Sequence, residues 1–146
     1  MYKRGTMRRF IPLLLLFVIA ICCLTGCDET SAIKKFVAEE NADCPIRYDD
    51  ENLTLIKVQM HGNYVEYVYQ DDEIDSDGEY SVAEIYCEDI ANWKKSIIEN
   101  IRNTTDDDYI DFYKECKTNK IGIEERYVGR RSGGECTIRI EYWEMP

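Results

Sequence analysis

The chain is poor in the residues from which most catalytic and metal sites are built. It has a single histidine, His61, among 146 residues. No Gly-x-Ser-x-Gly elbow or Cys-His context surrounds that histidine, so a nucleophilic triad has no support. No Cys-x-x-Cys occurs, and the last four cysteines lie 43, 29 and 20 residues apart, which does not suit structural zinc. Glycine-rich phosphate loops are missing, since Gly133-Gly134 precedes a strand and not a helix. The longest apolar stretch, Phe10 to Leu24, contains Pro12 and falls short of the roughly 20 residues a spanning helix needs. Basic charge is scarce after the start. Four of the 18 Lys and Arg lie in the first 26 residues, which hold none of the 29 Asp and Glu. The other 120 residues therefore carry 14 basic against 29 acidic groups, a net charge of −15. A surface so acidic repels phosphate backbones and anionic headgroups, which excludes nucleic acid as a partner.

What the chain does have begins with a leader. Residues 1–26 open on basic side chains, continue through the apolar stretch and end in small residues, the layout of a removable export signal. Directly after it come Leu24-Thr25-Gly26-Cys27. These four resemble the lipobox of bacterial lipoproteins, in which a small residue before an obligatory cysteine admits the processing peptidase. The resemblance implies cleavage before Cys27 and a thioether-linked diacylglycerol on its sulfur, with palmitate-type chains. Two or more acyl chains, each buried methylene contributing about 0.8 kcal/mol, anchor far more firmly than one. The expected organisation is a signal peptide at 1–26, a lipidated tether at 27–30 and one domain at 31–146. It would sit at the bacterial cell envelope, facing the periplasm or the cell exterior, with the membrane as a partner through the lipid on Cys27.

Export also implies an oxidising compartment. Setting aside the leader and the lipid site, Cys44, Cys87, Cys116 and Cys136 are left. Four cysteines allow three disulfide connectivities. The favoured one is local, Cys44 with Cys87 and Cys116 with Cys136, because each bridge would tie a helix-strand unit to its neighbour. The alternative is buried free thiols serving as small apolar side chains.

The apolar periodicity predicts elements in the order helix, hairpin, helices, hairpin. Ile33, Phe36 and Val37 share one face of a short helix that ends before Cys44-Pro45. Leu53, Leu55, Val58 and Met60 form a strand whose phase slips at Ile56, as at a bulge. Gly62-Asn63 supplies a two-residue turn, and Val65, Tyr67 and Tyr69 alternate on the return. From Ile90 the period becomes helical, with Ile90, Trp93, Ile97 and Ile101 on one stripe. Thr105 and the acidic run 106–108 cap another helix, whose Tyr109, Phe112, Tyr113 and Cys116 share a side. A second hairpin places Ile121, Ile123 and Tyr127 against Cys136, Ile138, Ile140 and Tyr142. Two amphipathic hairpins are not stable alone. The expected fold is therefore α+β: an antiparallel sheet of about four strands from two hairpins, packed under two or three helices, in an αββ pseudo-repeat without residue-level duplication.

Beyond the lipobox, Cys44-Pro45-Ile46 leads into Leu53-Thr54-Leu55, Tyr67-Val68-Tyr69 returns, and Tyr127-Val128-Gly129 precedes Cys136-Thr137-Ile138. In these patterns the chain resembles the short lipoproteins common in gut Bacteroides-type bacteria. That resemblance carries no activity with it.

Residues 73–84 test as a calcium loop, because Glu73, Asp75, Asp77, Gly78 and Glu84 follow the order of an EF-hand. The first ligand is Glu where Asp is usual, Tyr80 replaces an aliphatic residue and a strand precedes the segment, so a solvated acidic loop is favoured. Neither metal nor other cofactor is assigned. Carboxylate pairs abound without any being singled out, and no catalytic residue is named. Tyr64 points opposite to Tyr67 and Tyr69, so at least one aromatic should lie on the outer sheet face; together with Tyr127, Tyr142 and Trp143 these rings are expected mainly to pack. Arg130 and Arg131 are expected as solvent-exposed loop charges. The functional expectation is a non-enzymatic, lipid-anchored envelope module that binds an envelope protein or an extracellular ligand; the alternative is a small carboxylate-dependent hydrolase.

Overall fold

A two-residue turn organises the first half of the sheet. Gly62 takes φ +59°, a left-handed conformation that glycine adopts without steric penalty, and folds β2 (Leu53–His61) back onto β3 (Tyr64–Asp71). The computed structural model describes residues 30–48, 52–72, 74, 81–130 and 134–146. The lipobox, Arg131 and most of the 73–84 loop lie outside those residues. The register of β2 on β3 shifts between Leu55 and Lys57, so Ile56 is bulged and Val58 resumes the inward phase. A three-residue strand β1 (Ile46–Tyr48) borders β2, and the second hairpin consists of β4 (Gly122–Gly129) and β5 (Glu135–Ile140).

The α+β class and the placement of helices over one sheet are as expected from the sequence. Two details differ. The sheet has five strands in the order β1-β2-β3-β4-β5, because the segment after Pro45 adds an edge strand. The hairpins also meet through a parallel seam, Tyr64 to Asp71 beside Gly122 to Gly129, where an antiparallel junction was expected. The cause is the crossover: the intervening helices return the chain to the end at which β3 began. There the Gly122 N–H donates to the Asn63 carbonyl at 2.8 Å. A Cβ on Gly122 would stand 2.6 Å from Tyr64 Cε1 and 2.7 Å from the Ile140 carbonyl oxygen, so only glycine fits this entry unless its neighbours shift.

The helices are α1 (Ser31–Asp43), α2 (Ile90–Asn103) and α3 (Asp107–Thr118), with a π-helical turn at Ala83–Cys87. Asp106, one residue after the expected Thr105, caps α3 by accepting from the N–H groups of Asp108 (3.0 Å) and Tyr109 (3.4 Å). At the other end Lys120 adopts φ +57°, and the Ile121 N–H returns to the Cys116 carbonyl at 2.8 Å. α1 packs over β2 and against α3, while α2 and the π-helical turn lie over β5. Phe36 of α1 stacks on Phe112 of α3 at 4.1 Å between centroids. Asn41 Oδ1 accepts from the Val58 N–H at 3.0 Å, satisfying a β2 donor past the end of the short edge strand. Ile33, Leu55, Val65, Ile123, Ile138 and Ile140 are nearly or fully buried between the two layers. Each fully buried aliphatic side chain of this size contributes about 1.5–3 kcal/mol.

Among the described residues one disulfide joins Cys87 to Cys136, with Cα atoms 5.8 Å apart, and Cys44 and Cys116 are free thiols. The expected local pairing is therefore incorrect. Cys44 follows α1 beside β2, whereas Cys87 ends the turn that covers β5, several strands away. Cys116 is buried, and burial pushes its thiol up to about 12, so it packs as an inert apolar group.

Candidate functional site

Two of the carboxylates that break the apolar pattern of the inward faces meet at one place. Glu40 falls seven residues after Ile33 on the buried stripe of α1, and Glu125 lies between Ile123 and Tyr127 on the inward phase of β4. Both border a cavity of about 210 Å³ between the sheet and the helices. Its walls carry five tyrosines: Tyr48 from β1, Tyr67 and Tyr69 from β3, and Tyr109 and Tyr113 from α3. The parallel seam sets Tyr67 directly beside Glu125. Ile97 and Ile101 of α2 close the space from above.

The hydroxyls are unequally partnered. Tyr109 Oη donates to Glu40 Oε2 at 2.6 Å, and Tyr127 Oη, from behind the cavity wall, donates to Glu125 Oε2 at 2.5 Å. Tyr67 is 7% exposed, and its buried hydroxyl has no hydrogen-bond partner. Burying such a group without a partner costs about 1–3 kcal/mol. Burial first, and then the negative charges and neighbouring phenols, push Tyr67, Tyr69, Tyr109 and Tyr113 well above the ordinary tyrosine value. These hydroxyls stay protonated, and every ring keeps its electron-rich face. Tyr69 stacks on Tyr127 at 5.4 Å, and Tyr127 stacks on Tyr86 at 4.1 Å, so a row of rings backs the cavity. Tyr86 Oη in turn donates to the buried Asp71 Oδ2 at 2.7 Å.

A second cluster lies on the opposite sheet face. Glu66 and Glu124 are register partners across β3 and β4, only 2% and 1% exposed. The donor atoms of His61, Glu66 and Glu124 fall within 4.8 Å of one another, a spacing that a metal ion could bridge. Hydrogen-bond donors and guanidiniums of the protein already occupy it. Arg139 Nε donates to Glu124 Oε2, and Gln59 Nε2 donates to Glu66 Oε2. Arg126 Nε lies 3.0 Å from Glu66 Oε1 but off the hydrogen-bond direction, which makes that contact electrostatic. His61 Nδ1 stands 2.8 Å from Glu124 Oε1. Burial alone would raise the Glu124 pKa, but the hydrogen bonds from Arg139 and His61 outweigh it and hold the carboxyl below the usual glutamate value. Two guanidiniums face the two buried carboxylates, Arg126 being shared with Glu135 at 3.3 Å, and an added cation would have to displace them.

The residues singled out in the sequence are dispersed. Cys27 and residues 73 and 75–80 lie outside the described region. Glu84, the expected last ligand of the calcium-type loop, accepts from the Ser81 N–H at 2.6 Å while Ser81 Oγ accepts from the Glu84 N–H at 3.2 Å. That reciprocal pair is a helix cap, and its hydrogen bonds lower the Glu84 pKa. Tyr64 faces outward as expected, beneath the Arg139 guanidinium at 5.2 Å and bonded to Glu141 at 2.8 Å. Tyr67, Tyr69 and Tyr127 face the helices. Tyr142 and Trp143 form an edge-to-face pair near the C-terminus, Trp143 being 64% exposed. Arg130 is exposed, as expected. Among the described residues no helix is long and apolar enough to cross a membrane. No protein-family model, curated protein or solved structure matches this chain.

Proposed function

We propose that the chain is a lipid-anchored cell-envelope protein whose domain binds and does not catalyse, holding an extracellular ligand or an envelope partner beside the bilayer. The observation that carries the binding part is the buried, unpartnered Tyr67 hydroxyl bordering a cavity that also presents Glu40 and Glu125. Natural proteins break local rules mainly where function demands it, and here an inward strand position, an inward helix position and a buried hydroxyl break them together. The anchoring part is supported by the lipobox Leu24-Thr25-Gly26-Cys27 after a leader-like stretch. A carboxylate-dependent hydrolase is the weaker reading. Its general acid must hold a proton near neutrality, whereas Asp72, Glu84, Glu124 and Glu144 are shifted down.

Mild detergent extraction of the protein from its own envelope, followed by intact-mass and native mass spectrometry, tests both parts. The expected result is membrane fractionation, a diacylglyceryl-modified Cys27 at the new N-terminus and a reproducibly retained small molecule or protein. An unmodified thiol at Cys27, or a freely dissolved protein, would refute the anchor. Absence of any reproducible companion would refute the binding role.

A further inference from the structure

We propose that the tyrosine-lined cavity binds a small organic ammonium ion. This rests on the reading of the domain as a binding module and names the class of its ligand. Among the described residues, two carboxylates, Glu40 and Glu125, line the cavity, and no Lys, Arg or His does. Tyr67, Tyr69, Tyr109 and Tyr113 are held protonated, so these four phenols add no charge beside the two carboxyl groups. Tyrosine rings line the cavity with them, Tyr48 tilted on Tyr69 and Tyr109 on Tyr113, and the quadrupole of an aromatic face attracts a cation that has shed its water. Tyr67, beside Glu125 in the register, lines the cavity, and its hydroxyl, without a partner in the protein, would gain one from an ammonium N–H or a hydroxyl of a ligand that reaches it.

Size and access narrow the class. At about 210 Å³ the cavity lies below the 300–1,000 Å³ typical of drug-sized ligands, so the occupant has few heavy atoms. A bare divalent ion is a poor fit, because calcium wants six to eight oxygen ligands, mainly carboxylates and carbonyls, and the described walls offer two carboxylates beside phenols and aliphatic side chains. Spreading the positive charge over methyl or methylene groups suits the tyrosine rings of the lining, which attract a weakly hydrated cation. An open groove of about 600 Å³ between α1 and α3 adjoins the cavity and shares Glu40 and Tyr109 with it. Glu39, Asp106, Asp108, Asp111 and Glu115 also line that groove. Among the described residues lining it, Lys35 is the one basic side chain, and it stands 3.7 Å from Glu39. Same-sign charges in a cleft focus the field and concentrate cations, and the Tyr109–Glu40 hydrogen bond stands where groove and cavity meet.

The test is calorimetric titration of the full-length protein in detergent micelles with choline and with 3,3-dimethyl-1-butanol, its uncharged isostere. Choline is expected to bind at one site, and the alcohol at least tenfold more weakly. Glu125→Gln, which keeps shape and removes charge, is expected to weaken choline at least tenfold and leave the alcohol unchanged. Glu40→Gln carries the same expectation from a different element, should the first variant not fold. Equal affinity for the two probes, indifference of choline binding to both variants, or no heat from either probe would overturn the ammonium assignment. A neutral molecule retained by the protein from its own envelope, with choline inert, would overturn this assignment alone and leave the binding module standing.

Discussion

Replacing Tyr67 by Phe should make the unliganded protein more stable and a worse binder. The side chain is 7% exposed and its hydroxyl has no hydrogen-bond partner, so folding strips water from a group that gains nothing in return. Removing the oxygen relieves about 1–3 kcal/mol of desolvation penalty. The slightly enlarged cavity offsets this by only a few tenths of a kcal/mol, at roughly 24 cal/mol per Å³. For a domain with a urea m-value near 1.5 kcal/mol per molar, the transition midpoint should rise by about 0.5–2 M with unchanged slope. Urea unfolding followed by tyrosine fluorescence and circular dichroism measures this directly. A fall in the midpoint would mean that the hydroxyl is satisfied in the free protein, by ordered water in the cavity, and would refute the claim that it is held in reserve for a ligand.

Three further outcomes follow from other parts of the fold. Removing the Cys87–Cys136 bridge with paired serines should lower stability by about 4 kcal/mol for a loop of this length, read by urea unfolding, whereas Cys44→Ser should leave it nearly unchanged. Glu124 has a folded-state pKa below its ordinary value of 4.5, so its contribution is complete above that value and disappears as pH falls through the lowered one; Glu124→Gln should flatten this acid limb in a melting-temperature series from pH 6 to pH 2. Gly122→Ala would place a Cβ 2.7 Å from a backbone carbonyl oxygen and should cost about 1–3 kcal/mol of overpacking, seen in thermal unfolding as an early transition.

Short-range structure was legible because neighbouring residues encode it. Gly62-Asn63 marks the turn, Ile56 marks the bulge, and the Ile97–Ile101 and Phe112–Cys116 stripes mark the buried faces of α2 and α3. What could not be read depends on which segments meet. Cys87 and Cys136 pair because a π-helical turn comes to rest over β5, and no local spacing reports that. Glu66, Glu124, Arg126 and Arg139 are merely polar positions on alternating strands until the parallel seam brings them together. Glu40 and Glu125 did leave a trace in the sequence, as charges standing on otherwise apolar faces. Such interruptions look like ordinary pattern noise until both are seen to border one space.

The seam between β3 and β4 also bears on how the chain reaches its native form. Its partners lie 58 positions apart in sequence at Tyr64 and Gly122, a long-range contact of the kind that slows folding. A chain emerging N-terminus first would show β3 as a bare hydrogen-bonding rim until residue 122 had appeared, and such rims recruit other strands. Truncations before the second hairpin should therefore aggregate through β3 and should not yield a soluble half-sheet. The same vulnerability gives a holding chaperone a defined interval in which to act.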